Sequence, residues 1–185
     1  WLCLLLILPA QAAAIRVVDD AGQTFELTQP PQRIVSLTPH LTELLFAVGA
    51  GAQLAGADSA SDYPHAAQAL PRVGDYSRVN FERILALKPD LIVVWVGGNR
   101  AADIHGLKKM GLPVLHTQAT QLKDVARLLR LIGNVSGHAG QGETAARDFM
   151  TRLAALQVKS PPRPPVKVFY QVWDRPLMTV GGMHW

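Results

Sequence analysis

Thiols are almost absent from this chain: its one cysteine in 185 residues is Cys3. A disulfide framework is therefore excluded. Charge is sparse too, at 17% of residues, and the net +4 is scattered among acids with neither a basic stripe nor aromatics interleaved with one. That pattern argues against nucleic acid as a partner. No apolar run is long enough to span a bilayer. Catalytic signatures are missing as well: there is no G-x-S-x-G elbow, no phosphate loop with Gly-Lys-Ser/Thr and no H-E-x-x-H. The six histidines show no metal-ligand spacing. Val48-Gly49-Ala50-Gly51 suggests a dinucleotide loop, but it follows a helix pattern and Leu54 stands where a third glycine belongs. No catalytic residue, metal ligand or cofactor is assigned.

What is present begins with an export signature. Leu2–Leu8 is a short apolar run, followed by Pro9 and by Ala10-Gln11-Ala12-Ala13-Ala14, which supplies small-x-small cleavage sites near Ala12 or Ala14. The basic region and initiator Met that usually open such a leader are missing, so residues 1–14 read as its remnant. Cys3 precedes most of the apolar run, so lipid attachment is not expected. A processed chain would then be free of thiols, which suits a periplasmic or secreted protein.

Beyond the leader, apolar residues make up 49% of the chain, enough for a full core. Ile15–Leu27 alternates around Asp20–Gln23 and predicts an edge hairpin. Strand and helix patterns then alternate. Strands are expected at Arg33–Leu37, Gln53–Ala57, Leu91–Trp95 and Pro113–His116. Helices are expected from Pro39 to Val48 with a Thr38 cap, from Pro64 to Leu70, from Phe81 to Leu87 with an Asn80 cap, to about Met110 with an Asn99 cap, and through Leu131 with a Thr120 cap. Lys88-Pro89-Asp90 stops the third of these, because the residue before proline disfavours helix. Leu91–Trp95 is apolar on both faces, as a central parallel strand is. The expectation is a doubly wound, mostly parallel α/β sheet.

A longer helical pattern follows from His138 to Gln157, with an apolar stripe of Ala145, Ala146, Phe149, Met150, Leu153 and Leu156 expected to be core. The proline connector 161–165 and a new strand at Val166–Trp173 come next. Four segments result: the leader remnant 1–14, an α/β lobe 15–135, a connecting helix 136–160, and the start of a second α/β lobe at 161–185.

In open parallel sheets, ligands lie beyond the carboxyl ends of the strands. Those ends lead here into Thr38-Pro39-His40, Asp58–Tyr63, Trp95–Asn99 and Thr117–Thr120. They offer hydroxyls, amides, aromatic rings and the glycine backbone of Gly97 and Gly98, a palette for a large, partly apolar ligand. Tyr76, in a polar turn, could join them. Trp95 could equally be core, Tyr63 could seal the turn before Pro64, and His40 could be a hydrogen-bonding partner or an axial ligand. Glu82 stands in the first helical turn, where a carboxylate meets the positive end of the helix dipole.

RIVSLTPHLTELLFAVGAG, SDYP, RVGDYSRVNFERILALKPDLIVVWVGGN and GLPVLHTQAT, in that order between Ile34 and Trp173, resemble the cluster A-II periplasmic binding proteins of ABC importers. SDYP with W-x-G-G-N resembles the cobalamin-binding branch most. The resemblance implies two α/β lobes joined by one long helix, with ligand held non-covalently between them and presented, by a monomer, to a permease–ATPase complex in the membrane. It implies a cleft aromatic at Trp95, a second at Tyr76 where the cobalamin branch has tryptophan, and a permease-docking acid at Glu82. Ala60 departs from the branch, which has a cleft tyrosine there. Haem or a ferric siderophore in the same kind of cleft, and a small exported enzyme, are the alternatives.

Overall fold

Strand Leu91–Trp95 (β5) has no polar face to turn outward, and the fold gives it none. The computed structural model describes residues 14–159, 164, 167, 169, 171–174 and 177–179. β5 lies between Ile34–Ser36 (β3) and Val114–Thr117 (β6), and β3 pairs in turn with Leu54–Ala57 (β4). All three pairings are parallel, in the order β4-β3-β5-β6. Alternate side chains of one strand feed two separate cores. Ile34, Leu91 and Val93 join Leu41, Leu45, Leu129 and Ile132 on one face. Val35, Ile92 and Val94 join Ile84, Ile104 and Leu107 on the other. Burying each such side chain contributes about 1.5–3 kcal/mol, so helices on both faces are required.

Those helices are Pro39–Ala47 (α1), Phe81–Leu87 (α2), Ala101–Lys109 (α3), Leu122–Ser136 (α4) and Ala139–Lys159 (α5), with 3-10 turns at Ala50–Gln53 and His65–Ala69. The expected doubly wound, parallel α/β lobe is what forms. Asn80 caps α2 by accepting the Arg83 N–H at 3.0 Å, and Lys88, at φ 48°, ends it. Asp90 then accepts the N–H groups of Gln32 at 2.7 Å and Arg33 at 2.9 Å. The Lys-Pro-Asp break thus aligns the start of β3 with the start of β5.

Three expected caps differ. Asn99 does not cap α3, whose N-cap is Arg100; its amide is committed to strand ends described below. Thr120 does not cap α4, because Asp124 accepts the N–H groups of both Thr120 and Gln121, at 2.9 and 3.0 Å, from inside the first turn. That helix also runs past Leu131 to Ser136, where Gly137 at φ 82° closes it. Thr38 occupies the N-cap of α1, as expected, but its hydroxyl makes no capping bond.

The hairpin Ile15–Val18 (β1) and Thr24–Leu27 (β2) is antiparallel, as expected. Its turn reaches β6: Asp19 binds the His116 ring at 2.6 Å, with both residues buried. Asp20 takes the Gln118 N–H at 2.6 Å and pairs with Arg127.

The described residues form two units that divide inside α5, between Arg152 and Leu153. In the first, Ala146 is buried and Ala145 and Phe149 pack on the core shared with α1 and α4, but Met150 is exposed. Leu156, in the second, is exposed as well. The stripe therefore includes exposed, non-core positions at Met150 and Leu156. The second unit holds the antiparallel strands Gln171–Asp174 (β7) and Leu177–Thr179 (β8). The leader remnant and most of the proline connector lie outside the described residues, as do Val166, Val168 and Tyr170 of the last expected strand. Among the described residues no helix is long and apolar enough to cross a membrane.

Candidate functional site

From β3 the chain moves to β4 on one side, then crosses to β5 on the other. The carboxyl ends of β3 and β5 therefore flank the point where strand order reverses, the usual ligand crevice of such sheets. Asn99 holds this crevice in shape. Its Oδ1 accepts the Trp95 N–H at 2.8 Å and its Nδ2 donates to the Leu37 carbonyl at 3.0 Å. One buried amide thus ties the two strand ends together.

Trp95, half-buried, closes β5. Its indole lies on the backbone of Gly97 and Gly98: a Cβ on Gly98 would collide with indole Cε3 and Cζ3, and one on Gly97 would stand 3.0 Å from Nε1. Only glycine leaves this bed flat. The His40 ring meets the indole edge-on, with centroids 5.2 Å apart at 90°. Burial holds the imidazole below its usual pKa, against the raising effect of the Asp58 carboxylate, so His40 is neutral near pH 7.

Two loops border the crevice. After β4, Ser61 Oγ donates to Asp58 Oδ1 and lies 2.8 Å from Thr42 Oγ1. Arg72 donates to the carbonyls of Asp58 at 3.0 Å and Ser61 at 2.7 Å. The loop so fixed carries Tyr63, 67% exposed, and Ala60. The second loop turns at Asp75, which accepts from the Ser77 hydroxyl at 2.6 Å and from the N–H groups of Ser77 and Arg78. Those bonds, the Ser77 hydroxyl first, hold the Asp75 carboxyl below its usual pKa. Arg100, just past the β5 loop, donates to the Ser77 carbonyl at 2.9 Å. Tyr76 rides on this turn, 80% exposed.

His40, Trp95, Gly97 and Gly98 thus form one cluster. Tyr63 and Tyr76 sit on separate loops, and His40–Trp95 is the one ring pair among the described residues. Neither tyrosine ring packs into the core. Glu82, exposed in α2, lines an open depression of about 510 Å³ with Gly74, Asp75, Arg78 and Asn80. Sequence reasoning did not single out Asn99 as a clamp, or Arg72 and Arg100 as loop staples, because their partners are backbone groups without a sequence signature. Among the described residues no group of three His, Cys, Asp or Glu side chains could hold a metal.

Known proteins bear on this site. The vitamin B12-binding protein of Vibrio parahaemolyticus is 38% identical over 157 residues, 85% of this chain and 57% of its own. That of Pectobacterium atrosepticum is 40% identical over 154 residues, 80% of this chain and 55% of its own. The chain thus spans a little over half the length of these relatives. A solved periplasmic vitamin B12 binding protein of Vibrio cholerae superposes with TM-score 0.79 at 36% identity, covering 84% of this chain and 61% of its own. A periplasmic heme binding protein of Pseudomonas aeruginosa superposes with TM-score 0.64 at 30% identity, covering 72% of this chain and 50% of its own. The sequence profile described as Periplasmic binding protein matches residues 34–185, and the chain belongs to that family.

Proposed function

We propose that this chain supplies one lobe, the connecting helix and the start of the second lobe of a periplasmic substrate-binding protein. That protein captures cobalamin between its lobes and delivers it to the permease of an ABC importer. The observation that carries this reading is Trp95, laid on Gly97–Gly98 at the reversal point of the sheet with exposed tyrosines on the bordering loops. Flat aromatic surface with few charges suits a broad macrocycle, each stacked aromatic adding about 0.5–1.5 kcal/mol beyond area burial. The sequence likeness to vitamin B12-binding proteins points the same way.

In this reading Trp95, Tyr76 and Tyr63 face the ligand and His40 braces the indole. Gly97 and Gly98 act through Trp95 as well as by their own backbone. Glu82 docks on the permease. The segments are those expected from the sequence, with export directed by a leader cleaved near Ala12 or Ala14 and a monomer as the working form. The protein binds and releases, with no catalysis.

Calorimetric titration with cyanocobalamin, on this chain and on a version extended through the second lobe, tests the proposal. Weak heat from the first and tight binding by the second are expected; no heat from either at tens of micromolar protein would refute it. Haem is the second reading, favoured by a neutral His40 imidazole at the crevice, and a haem absorption shift abolished in His40→Ala would support it.

A further inference from the structure

Four buried side-chain polar atoms have no hydrogen-bond partner among the described residues: Thr38 Oγ1, Gln53 Oε1, Trp95 Nε1 and Gln118 Oε1. Gln53 lies at the amino end of β4, and its Nε2 is bonded to the carbonyls of Pro31 and Ser136. The other three lie at the carboxyl ends of β3, β5 and β6, along one edge of the sheet. An orphaned buried polar group costs about 1–3 kcal/mol, and folded proteins leave few of them. Three together where such sheets take their ligands mark groups that a ligand completes.

Two of them form a matched set. Trp95 Nε1 and Gln118 Oε1 stand 3.0 and 3.1 Å from the point where a Cβ of Gly97 would lie. One is a donor and the other an acceptor, yet they are not bonded to each other. The Gln118 backbone is pinned on both sides, its N–H by Asp20 at 2.6 Å and its carbonyl by Arg127 at 2.6 Å. Only its side chain is free to move.

We propose that Trp95 Nε1–H and Gln118 Oε1, with the Thr38 hydroxyl on the same strand-end edge, read a carboxamide arm of the ligand. A primary carboxamide carries an acceptor and a donor on one planar group, so it answers the indole N–H and the glutamine oxygen together. A carboxylate answers the indole but sets its oxygens against Gln118 Oε1. The orientation of the Gln118 amide makes the choice: with Oε1 over Gly97 it accepts from the carboxamide NH2, whereas a flipped amide would join the indole N–H as a second donor and hold a carboxylate instead. Both atoms are closed to water while Gln118 lies over Gly97, so the arm enters as that side chain rotates outward. The inference rests on the cobalamin reading: a corrin ring is fringed with carboxamide arms, whereas haem carries propionates.

The test uses the 185-residue chain labelled with nitrogen-15. The Trp95 indole N–H signal is assigned by its loss in Trp95→Phe. The chain is titrated with millimolar cyanocobalamin and, separately, with gallium protoporphyrin as a diamagnetic haem analogue. The expected result is a downfield move of the Trp95 indole signal with cyanocobalamin, and binding about tenfold weaker in Gln118→Leu, the effect of one lost hydrogen bond. Gln118→Glu has the same shape and keeps the acceptor, so it should bind cyanocobalamin more tightly than Gln118→Leu does; the amide spectrum checks that both variants fold. Cyanocobalamin binding with an unmoved Trp95 indole and an unaffected Gln118→Leu would overturn the inference and leave the cobalamin reading standing. Binding of the porphyrin alone would overturn both, and binding of neither ligand would overturn the inference.

Discussion

The side-chain oxygen of Asn99 accepts the backbone N–H of Trp95 at 2.8 Å, and the same amide donates to Leu37 across the sheet. A residue four positions past the strand thereby decides where the indole begins. Asn99→Ala leaves two buried backbone groups unpaired, each costing about 1–3 kcal/mol. Urea melts should show that loss. Asn99→Asp keeps the acceptor but sets an oxygen against the Leu37 carbonyl. It should be unstable at pH 7 and partly recover near pH 4, where the protonated acid can donate.

Gly98→Ala tests the indole's bed. The new methyl would overlap Cε3 and Cζ3 of Trp95, so the ring must leave. Overpacking of this kind costs about 1–3 kcal/mol. Fluorescence should report it: the Trp95 contribution, taken as the difference from a Trp95→Phe background, should shift to longer wavelength as the ring enters water. Cyanocobalamin binding should weaken with it. An unchanged Trp95 emission would mean the ring does not rest on Gly98.

The sheet was legible because Leu91–Val94 has no polar alternate, and a strand apolar on both faces can only be central. The α2 stop was legible because Lys-Pro-Asp acts locally. The failed caps have separate causes. Asn99 has a partner, Leu37, 62 residues away, and no local pattern shows a contact of that range. Thr120 lost to Asp124, a competitor inside the helix it was expected to cap. The strand-end edge followed from topology, so His40, Trp95, Gly97 and Gly98 came out together. The orphaned atoms of Thr38 and Gln118 did not, because an unmet hydrogen bond exists only once the packing does.

His40 should make stability depend on pH. Burial keeps its folded pKa below the usual 6.5, so between that value and 6.5 the unfolded chain binds more protons than the folded one. Its contribution is therefore fully present above pH 6.5 and is lost as pH falls through the folded pKa. Urea midpoints at pH 8 and pH 5 check the sign: the wild type should lose more stability between them than His40→Gln. An equal loss would remove His40 as the source.

Asp19 should act in a lower window. Burial raises its pKa, but the Gln23 N–H and the side chain and backbone of His116 outweigh this and leave it lowered from 3.8. Its stabilisation is present above pH 3.8 and disappears as pH falls through the folded value. Asp19→Ala strands the buried His116 ring and the turn amides of Ala21 and Gln23. The ring alone should cost about 1–3 kcal/mol. Hydrogen exchange should speed up first in β1 and β2, because that carboxylate joins the hairpin turn to β6; protection lost evenly over the lobe would contradict this anchoring role.

Glu82 offers the sharpest separation of binding from delivery. It is exposed in the first turn of α2, makes no ion pair among those described, and its side chain takes no part in the Asn80 cap bond or the His40–Trp95 ring pair. Glu82→Lys should therefore leave the cyanocobalamin affinity of the extended protein essentially unchanged and lower the urea midpoint only slightly, by the about 0.3–1 kcal/mol of a reversed helix-dipole contact. A docking carboxylate that meets permease cations would behave differently in transport, because a lysine there turns attraction into repulsion, which costs encounter rate and complex lifetime. Uptake into cells or vesicles carrying the cognate importer should fall sharply with Glu82→Lys and less with Glu82→Gln, which removes the attraction without adding repulsion. Full uptake by the lysine variant would reduce Glu82 to a favourable partner of its own helix dipole.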